Sequence, residues 1–328
     1  MAHELSEVSG KAEMFWSGGK PWHGLGTQFP ELLTAGQVHS MPEINWKVEQ
    51  AGVLFDAGDG QRVIPDRMAN IRRRPDGTPV YLGTVSMNYQ VFQNQEFVDF
   101  MDELAAQGQA KFETGGAIRD GKRVWFSLKL PGEIDLGKGD RTEKYLLGIN
   151  DHSGKMKARV FFTPIRVVCA NTMRAAIGGT HEEAGIGIRH QGNLAARIEE
   201  AKHVLGFAVD YFQEMEKRFE AFVRKSLSKD ETIQYIAKCV NLRGNTEREV
   251  MKVAVEMKSI LGLTETGRGA DLHPGTLWNA MNAVVEHVDH EAYEGRKKFN
   301  AQGRFESLVY GPGQEIKQRA FNNAVALI

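Results

Sequence analysis

The spacing of apolar residues in this 328-residue chain changes near residue 190. Before that point, short runs alternate apolar with polar positions, and turn signals such as Asp76-Gly77, Asp120-Gly121 and Ser153-Gly154 separate them. This pattern is typical of strands joined by tight turns. Beyond Gly192 the apolar positions recur every three or four residues, as in amphipathic helices. We therefore expect an α+β fold, with a β-rich lobe and antiparallel sheet over residues 1–190 and a helical lobe over residues 191–328.

Two helices are also expected inside the β-rich lobe. One covers residues 94–107, where Asn94 is a suitable N-cap, and the other begins at Thr163 and Pro164. In the second half, the helical segments cover residues 194–227, 229–241, 246–261 and 274–293. Lysine, arginine and glutamate fill their other faces, which indicates helices that pack on one side and meet solvent on the other.

One stretch of the chain carries positive charge without any acidic residue. Residues 152–180 contain no aspartate or glutamate, yet they contain five cations, Lys155, Lys157, Arg159, Arg166 and Arg174. The whole chain balances 41 lysines and arginines against 42 acidic residues, so it is not a uniformly basic protein that coats DNA. Any contact with a polyanion must therefore come from local clustering.

Two predicted strands place cations beside aromatic side chains. Alternation over residues 123–130 and over residues 155–162 gives each strand one apolar face and one cationic face with an aromatic residue. Cations that follow a backbone, together with aromatics that stack on bases, are typical of a single-strand binding groove. The predicted nucleic-acid-binding residues are Arg123, Trp125, Lys129, Lys155, Lys157, Arg159, Phe161, Arg166 and Arg174. The alternative is that a helix covers Trp125 and that the lysines form a solvated sheet edge.

Several motifs, in this order along the chain, resemble one known family. They are Met14-Phe15-Trp16, Pro21 to Thr27 (PWHGLGT), Arg166 to Thr172 (RVVCANT), Thr276 to Val284 (TLWNAMNAV) and Val288-Asp289-His290. Together they resemble the phage/plasmid-like protein family, whose function is unknown and whose members occur in prophages, phages and plasmids. The resemblance implies a mobile-element origin and brings no established activity with it.

The order of predicted elements from Ala117 to Ile177, four strands and then a helix, is also loosely similar to the core of Rad52-like annealing proteins. Such proteins assemble as rings and hold DNA on a basic groove. This likeness concerns topology and includes no shared motif, and a fold by itself does not confer a function.

Signatures of catalysis are absent from the sequence. There is no GxxxxGK[ST] loop, HExxH, GxSxG or zinc-deaminase motif, and Gly185-Ile186-Gly187 is interpreted as turn glycines. Cys169 lies in a predicted buried stripe, and Asn171 either binds a ligand or satisfies the backbone. His287 and His290 share a helix face and are the best metal candidates. We expect no catalytic residue, no cofactor and no metal, and the missing motifs weigh against an enzyme without deciding the question.

Three functions are compatible with these patterns. The leading one is single-stranded DNA binding, such as strand annealing in phage recombination. The alternative is a non-enzymatic phage protein that binds a host factor to counter a defence system. The third is a metal-dependent nucleic-acid enzyme using the His287 region. We also expect a homo-oligomer joined through the N-terminal segment to Thr27, because Trp16, Trp22 and Trp278 are costly to expose. Lacking a leader or a long apolar run, the chain is expected in the host cytoplasm and not in a membrane.

Overall fold

The fold is described from a computed structural model. It describes residues 5–21, 24–106, 110–163, 185–205, 208–240, 247–288 and 312–328, and within them it forms twelve strands and eight helices. The strands are β1 (Glu7–Val8), β2 (Lys11–Ala12), β3 (Met14–Ser17), β4 (Thr27–Phe29), β5 (Glu49–Asp56), β6 (Gln61–Arg73), β7 (Pro79–Ser86), β8 (Lys111–Ile118), β9 (Arg123–Asp135), β10 (Arg141–Asp151), β11 (Ala158–Thr163) and β12 (Gly185–Ile188). The helices are α1 (Ala35–His39), α2 (Asn94–Ala106), α3 (Leu194–Leu205), α4 (Ala208–Arg224), α5 (Lys229–Val240), α6 (Glu247–Thr266), α7 (Leu277–Glu286) and α8 (Pro312–Val325).

A seven-stranded sheet forms the centre of the β-rich part. Its order is β12-β11-β10-β9-β8-β3-β4, and every pairing is antiparallel except that of β3 with β4. The chain turns between β8 and β9 and between β10 and β11 at two of the predicted glycine turns. Gly121 and Gly154 have φ angles of 86° and 76°, which a residue with a side chain rarely adopts. Sequence and structure therefore agree on this run of hairpins.

Helix α2 covers one face of this sheet. Val124, Phe126 and Leu128 of β9 point to that face, where Phe126 lies 6.0 Å from the Phe97 ring. Gly148 in β10 permits this close approach, because an added Cβ there would lie 2.6 Å from the Met101 sulfur. The opposite face carries Trp125, Ser127 and Lys129, and we call it the tryptophan face.

A three-stranded sheet, β5-β6-β7, packs against the turn that follows β10. Gly83 of β7 lies against the turn, and a Cβ at this position would be 2.6 Å from Ser153 Cα. The far ends of β5 and β6 pair only with each other and extend as a two-stranded ribbon. Leu54, Phe55 and Val63 of this ribbon are about half exposed or more.

The helical part joins the sheet through the loop between β9 and β10. Asp140 accepts a hydrogen bond from Trp278 Nε1 at 2.8 Å and lies 3.4 Å from His273. A single hydrophobic core cluster includes residues of the sheet and of the helices, among them Ile134 and Leu277. The expected α+β fold, with a β-rich N-terminal region and helices toward the C-terminus, is confirmed, whereas the division into two domains stays a prediction.

The predicted helices differ from the observed ones in several details. The described residues of the segment predicted over 194–227 form α3 and α4, and residues 206 and 207 between them lie outside the described ranges. The C-terminal helix α8 was not predicted. Gly185 and Gly187 lie in strand β12 and are not turn glycines. The helix predicted after Pro164 lies outside the described residues.

Candidate nucleic-acid interface

Four cations lie together where β11 and β12 form the edge of the seven-stranded sheet. The pairing sets Arg159 opposite Gly187, and one step beyond the last pair the same register sets Lys157 opposite Arg189. The Lys157 side chain lies across Gly187, where an added Cβ would be 3.1 Å from its Cδ. Lys155 precedes them and is exposed, as are Lys157 and Arg189. We call Lys155, Lys157, Arg159 and Arg189 the cationic edge.

The charges of the cationic edge are not neutralised by acidic side chains of the described residues. None of the four forms an ion pair there, and Arg159 instead lies 5.6 Å from the Phe161 ring centre. The arginines of the three-stranded sheet behave differently, because each has an acidic partner within 4.0 Å. These pairs are Arg62–Asp59, Arg67–Asp66, Arg72–Glu13, Arg73–Glu49 and Arg74–Asp120. The four cations of the cationic edge thus differ from these five arginines in having no acidic partner among the described residues.

The aromatic half of the predicted binding face is not accessible. Trp125 and Phe161 share the tryptophan face as expected, but both are fully buried. Neither ring can stack on a base at the surface, so this part of the prediction is wrong. The predicted alternation of the two strands is confirmed. The face that carries Trp125 and Phe161 is covered at these two residues and is not open to solvent there.

Two predicted cations are engaged by acidic partners. Arg123 is buried and its Nε donates to Asp151 Oδ2 at 2.7 Å. Lys129 donates to Glu143, and this hydrogen bond raises the pKa of the lysine. Neither is a free phosphate ligand. Arg166 and Arg174, the two cations of the predicted helix, lie outside the described residues, as do Cys169 and Asn171.

The first part of the turn between β10 and β11, from Asp151 to Ser153, is buried, whereas Gly154 and Lys155 are exposed. Asp151 Oδ1 accepts from the amide nitrogens of Ser153 at 3.0 Å and Lys155 at 3.3 Å, while its other oxygen binds Arg123. His152 is fully buried. The turn is thereby fixed from within, and it holds the backbone of Lys155 at the start of the cationic edge.

His152 and His190 are held neutral in the junction between the two sheets. Burial lowers the pKa of His152 to about 3, and burial also lowers the pKa of His190. A His152 ring nitrogen lies 2.8 Å from Asn94 Oδ1, so Asn94 serves the junction and is not the predicted helix cap. His190 stacks on Tyr89 at 4.7 Å. These histidines contribute to packing and carry no charge near neutral pH.

In the helical part, His287 lies between Ser259 and Glu256, whose Oε1 is 3.8 Å from His287 Nε2. His287 is buried and bonds Ser259 at 3.0 Å, while its predicted metal partner His290 lies outside the described ranges. Burial raises the pKa of the Cys239 thiol, which disfavours the reactive thiolate. Across the described ranges, no group of three or more potential metal ligands is found.

Two of the tryptophans that motivated self-association are buried within the chain itself. Trp16 lies in β3 of the seven-stranded sheet, and Trp278 packs on Phe219 with ring centres 4.8 Å apart. Trp22 is outside the described residues. Trp16 and Trp278 are therefore buried without a second subunit, so these two residues give no reason for an oligomer.

Comparisons with known proteins identify one match. A family model described as "Domain of unknown function (DUF932)" matches residues 81–309. No curated protein and no solved structure matches the chain, so the likeness to Rad52-like annealing proteins gains no support. Among the described helices, none combines the length and apolar character needed to cross a membrane.

Proposed function

This chain belongs to the DUF932 family of domains of unknown function, and we propose that it binds single-stranded DNA through its cationic edge. The observation that carries the proposal is the set of four clustered cations that have no acidic partner among the described residues. Phosphate groups are the anions that such a surface would neutralise, and the released counterions would favour binding.

The number of cations in the cationic edge limits how tightly one copy of the chain can bind a single strand. Four contacts correspond to a slope of log affinity against log salt of about −3 for a single strand. A single patch of this size binds weakly at physiological salt, so tight binding would require several copies on one strand. The need for several copies on one strand is the remaining argument for the expected homo-oligomer. Strand annealing would use the same row of bound copies.

A charge-matched pair of variants tests the proposal. The edge variant carries Lys155→Gln, Lys157→Gln, Arg159→Gln and Arg189→Gln. The control variant carries Arg62→Gln, Arg67→Gln, Arg73→Gln and Arg74→Gln, which removes the same charge from arginines that already have acidic partners. Fluorescence anisotropy would follow binding to a labelled oligothymidylate and to its duplex with oligoadenylate, each over a range of salt concentrations.

The edge variant should bind weakly and lose most of the salt dependence, whereas the control variant should bind like the wild-type chain. An edge variant that folds normally by circular dichroism and keeps the wild-type affinity and slope would refute the proposal. Phosphate contacts alone do not distinguish one strand from two. The preference for the single strand is therefore measured separately, as the ratio of the two affinities.

The exposed ribbon formed by β5 and β6 favours a second candidate function, binding of a host protein. Leu54 and Val63 face each other across the ribbon, and both are more than half exposed. Exposed apolar side chains that lie together are typical of protein interaction sites. If this candidate is correct, the chain will not bind DNA, and Leu54→Asp with Val63→Asp will abolish retention of a host-extract protein that the wild-type chain retains.

A further inference from the structure

A cavity of about 630 Å³ lies between the end of β7 and the segment that links β12 to α3. Its volume is within the range of roughly 300–1,000 Å³ that small-molecule sites occupy. Among the described residues, the cavity is lined by Ser86, Met87, Asn88, Gln90, Gln191 and Gly192. We call this space the amide cavity, because three of these residues carry side-chain carboxamides.

Stacked rings and backbone hydrogen bonds hold the two sides of the amide cavity together. Tyr89 stacks on His190 with ring centres 4.7 Å apart. The Gln90 amide donates to the His190 carbonyl at 2.7 Å, and Tyr89 forms a β-bridge with Gln191. The Tyr89 hydroxyl also donates to the Asp151 carbonyl at 2.9 Å. The segments that line the cavity are therefore in place before a ligand binds, which lowers the cost of ordering them.

The groups that line the amide cavity are polar and accessible but uncharged. Asn88, Gln90 and Gln191 are exposed, and each carboxamide has N–H donors and an oxygen acceptor. Ser86 adds a hydroxyl group, and the exposed Met87 adds a polarizable apolar surface. The described lining residues include no ionisable side chain. The cavity thus offers hydrogen bonds in both directions together with one apolar contact.

Two members of the cationic edge border the amide cavity. Arg189 belongs to the same linking segment as Gln191. Gly154, the residue before Lys155, packs on the end of β7, since an added Cβ there would lie 2.6 Å from Val85 Cγ1. Arg189 and Lys155 are both exposed. The uncharged cavity therefore has a positive border.

The charged side chains on the neighbouring strand β6 balance each other. Arg67 pairs with Ser86 in the sheet, and the Met87 amide donates to the Asp66 carbonyl at 3.3 Å. The side chains of Arg67 and Asp66 lie 3.7 Å apart and form an ion pair. Because these two residues add no net charge, they do not cancel the positive border.

These features restrict the chemistry of the ligand. A charged group inside the cavity would lose water without gaining an opposite charge from the described lining residues, and an apolar group would leave the carboxamides without hydrogen bonds. An anionic group at the border would pair with Lys155 and Arg189. A nucleotide combines an uncharged base with a phosphate. Adenine is the base with which side-chain carboxamides form two hydrogen bonds, through its N6 amino group and N7.

We propose that the amide cavity binds the base of a nucleotide, adenine in preference, while Lys155 and Arg189 hold its phosphate. Asn88, Gln90 and Gln191 supply the donors and acceptors for the base. The nucleotide is either free or part of a bound strand, and the second source rests on the proposed function. In a strand, the cavity gives the cationic edge a base preference that phosphate contacts alone do not supply.

Two sets of probes test this assignment. Ligand-observed NMR measures binding of deoxyadenosine and thymidine, which carry no phosphate. Fluorescence anisotropy compares oligodeoxyadenylate, oligothymidylate and an abasic deoxyribose-phosphate oligomer of equal length. The cavity variant carries Asn88→Ala and Gln191→Ala, and Gln191→Ala alone replaces it if the double variant does not fold. The control variant carries Gln28→Ala and Gln61→Ala, which removes two exposed carboxamides outside the cavity.

Deoxyadenosine should bind about fivefold or more tightly than thymidine, as expected for one carboxamide that forms two hydrogen bonds with adenine. Gln191→Ala should weaken deoxyadenosine binding about three- to tenfold, and the cavity variant at least as much. The control variant and the edge variant should bind deoxyadenosine like the wild-type chain, because this probe has no phosphate. Among the strands, oligodeoxyadenylate should bind most tightly and the abasic oligomer most weakly, and the cavity variant should remove this difference.

The outcomes separate this inference from the proposed function. Binding of deoxyadenosine without binding of any strand would sustain the base site and refute the DNA-binding role. Equal binding of the three strands, together with no nucleoside binding, would keep the cationic edge and overturn the base site. Equal affinities for deoxyadenosine and thymidine, or deoxyadenosine binding that the cavity variant leaves unchanged, would also overturn it.

Discussion

The buried ion pair between Arg72 and Glu13 gives the sharpest test of how the two sheets are held together. Arg72 of β6 donates from both terminal nitrogens to the two oxygens of Glu13, at 2.8 and 2.7 Å. The two side chains are only 3% and 6% exposed. The guanidinium also lies 4.6 Å from the Trp46 ring centre. The pair therefore links the three-stranded sheet to the segment that leads into β3.

Removing one member of this pair should be far more harmful than removing both. Glu13→Leu leaves a buried guanidinium without its carboxylate, which costs about 3–5 kcal/mol of unfolding free energy. The double variant Glu13→Leu with Arg72→Met removes both charges and should recover most of that loss. Its remaining deficit should include the lost contact with Trp46, about 1 kcal/mol.

Urea unfolding followed by circular dichroism measures these differences, provided that the slope with denaturant stays constant. Arg73 and Glu49 provide a matched control on the neighbouring residue, since their side chains are 51% and 47% exposed. Glu49→Leu should change the unfolding free energy by about 0–1 kcal/mol. The reasoning is refuted if Glu13→Leu costs no more than Glu49→Leu, or if the double variant is as unstable as Glu13→Leu.

Two further predictions concern the junction between the sheets. The unfolded chain protonates His152 at its usual pKa, whereas the folded chain does so only near a pKa of about 3. The contribution of His152 to the free energy of unfolding should therefore be fully present above about pH 6.5 and fall as the pH drops toward 3, by up to about 1.4 kcal/mol per pH unit. His152→Gln should flatten this pH dependence in unfolding titrations. Gly83→Ala places a Cβ 2.6 Å from Ser153 Cα and should lower the melting temperature. Gly36→Ala, in a helix with nothing within 4 Å of the added Cβ, should raise the free energy of unfolding by about 0.4–1 kcal/mol and so raise the melting temperature. Equal melting temperatures for the two alanine variants would show that the close approach at Gly83 is not needed.

The sequence by itself determined the local elements of this protein. The change of apolar spacing near residue 190 located the end of the β-rich part, and alternation in β9 separated Trp125 and Ser127 from Phe126 and Leu128. Glycine turns such as Ser153-Gly154 marked the hairpins. These features can be read from the chain because periodicity and backbone freedom depend only on neighbouring residues.

The tertiary structure decided which faces meet solvent and which charges are paired. Alternation cannot show whether a strand face is covered, and Trp125 proved to be buried. The partner of Arg123 is Asp151, 28 residues away, and Arg189 joins Lys157 only through the pairing of β11 with β12. Burial and ion pairing arise between segments that are distant in sequence. For that physical reason, the acid-free stretch revealed the charge, whereas only the fold showed which of the cations form an edge without acidic partners.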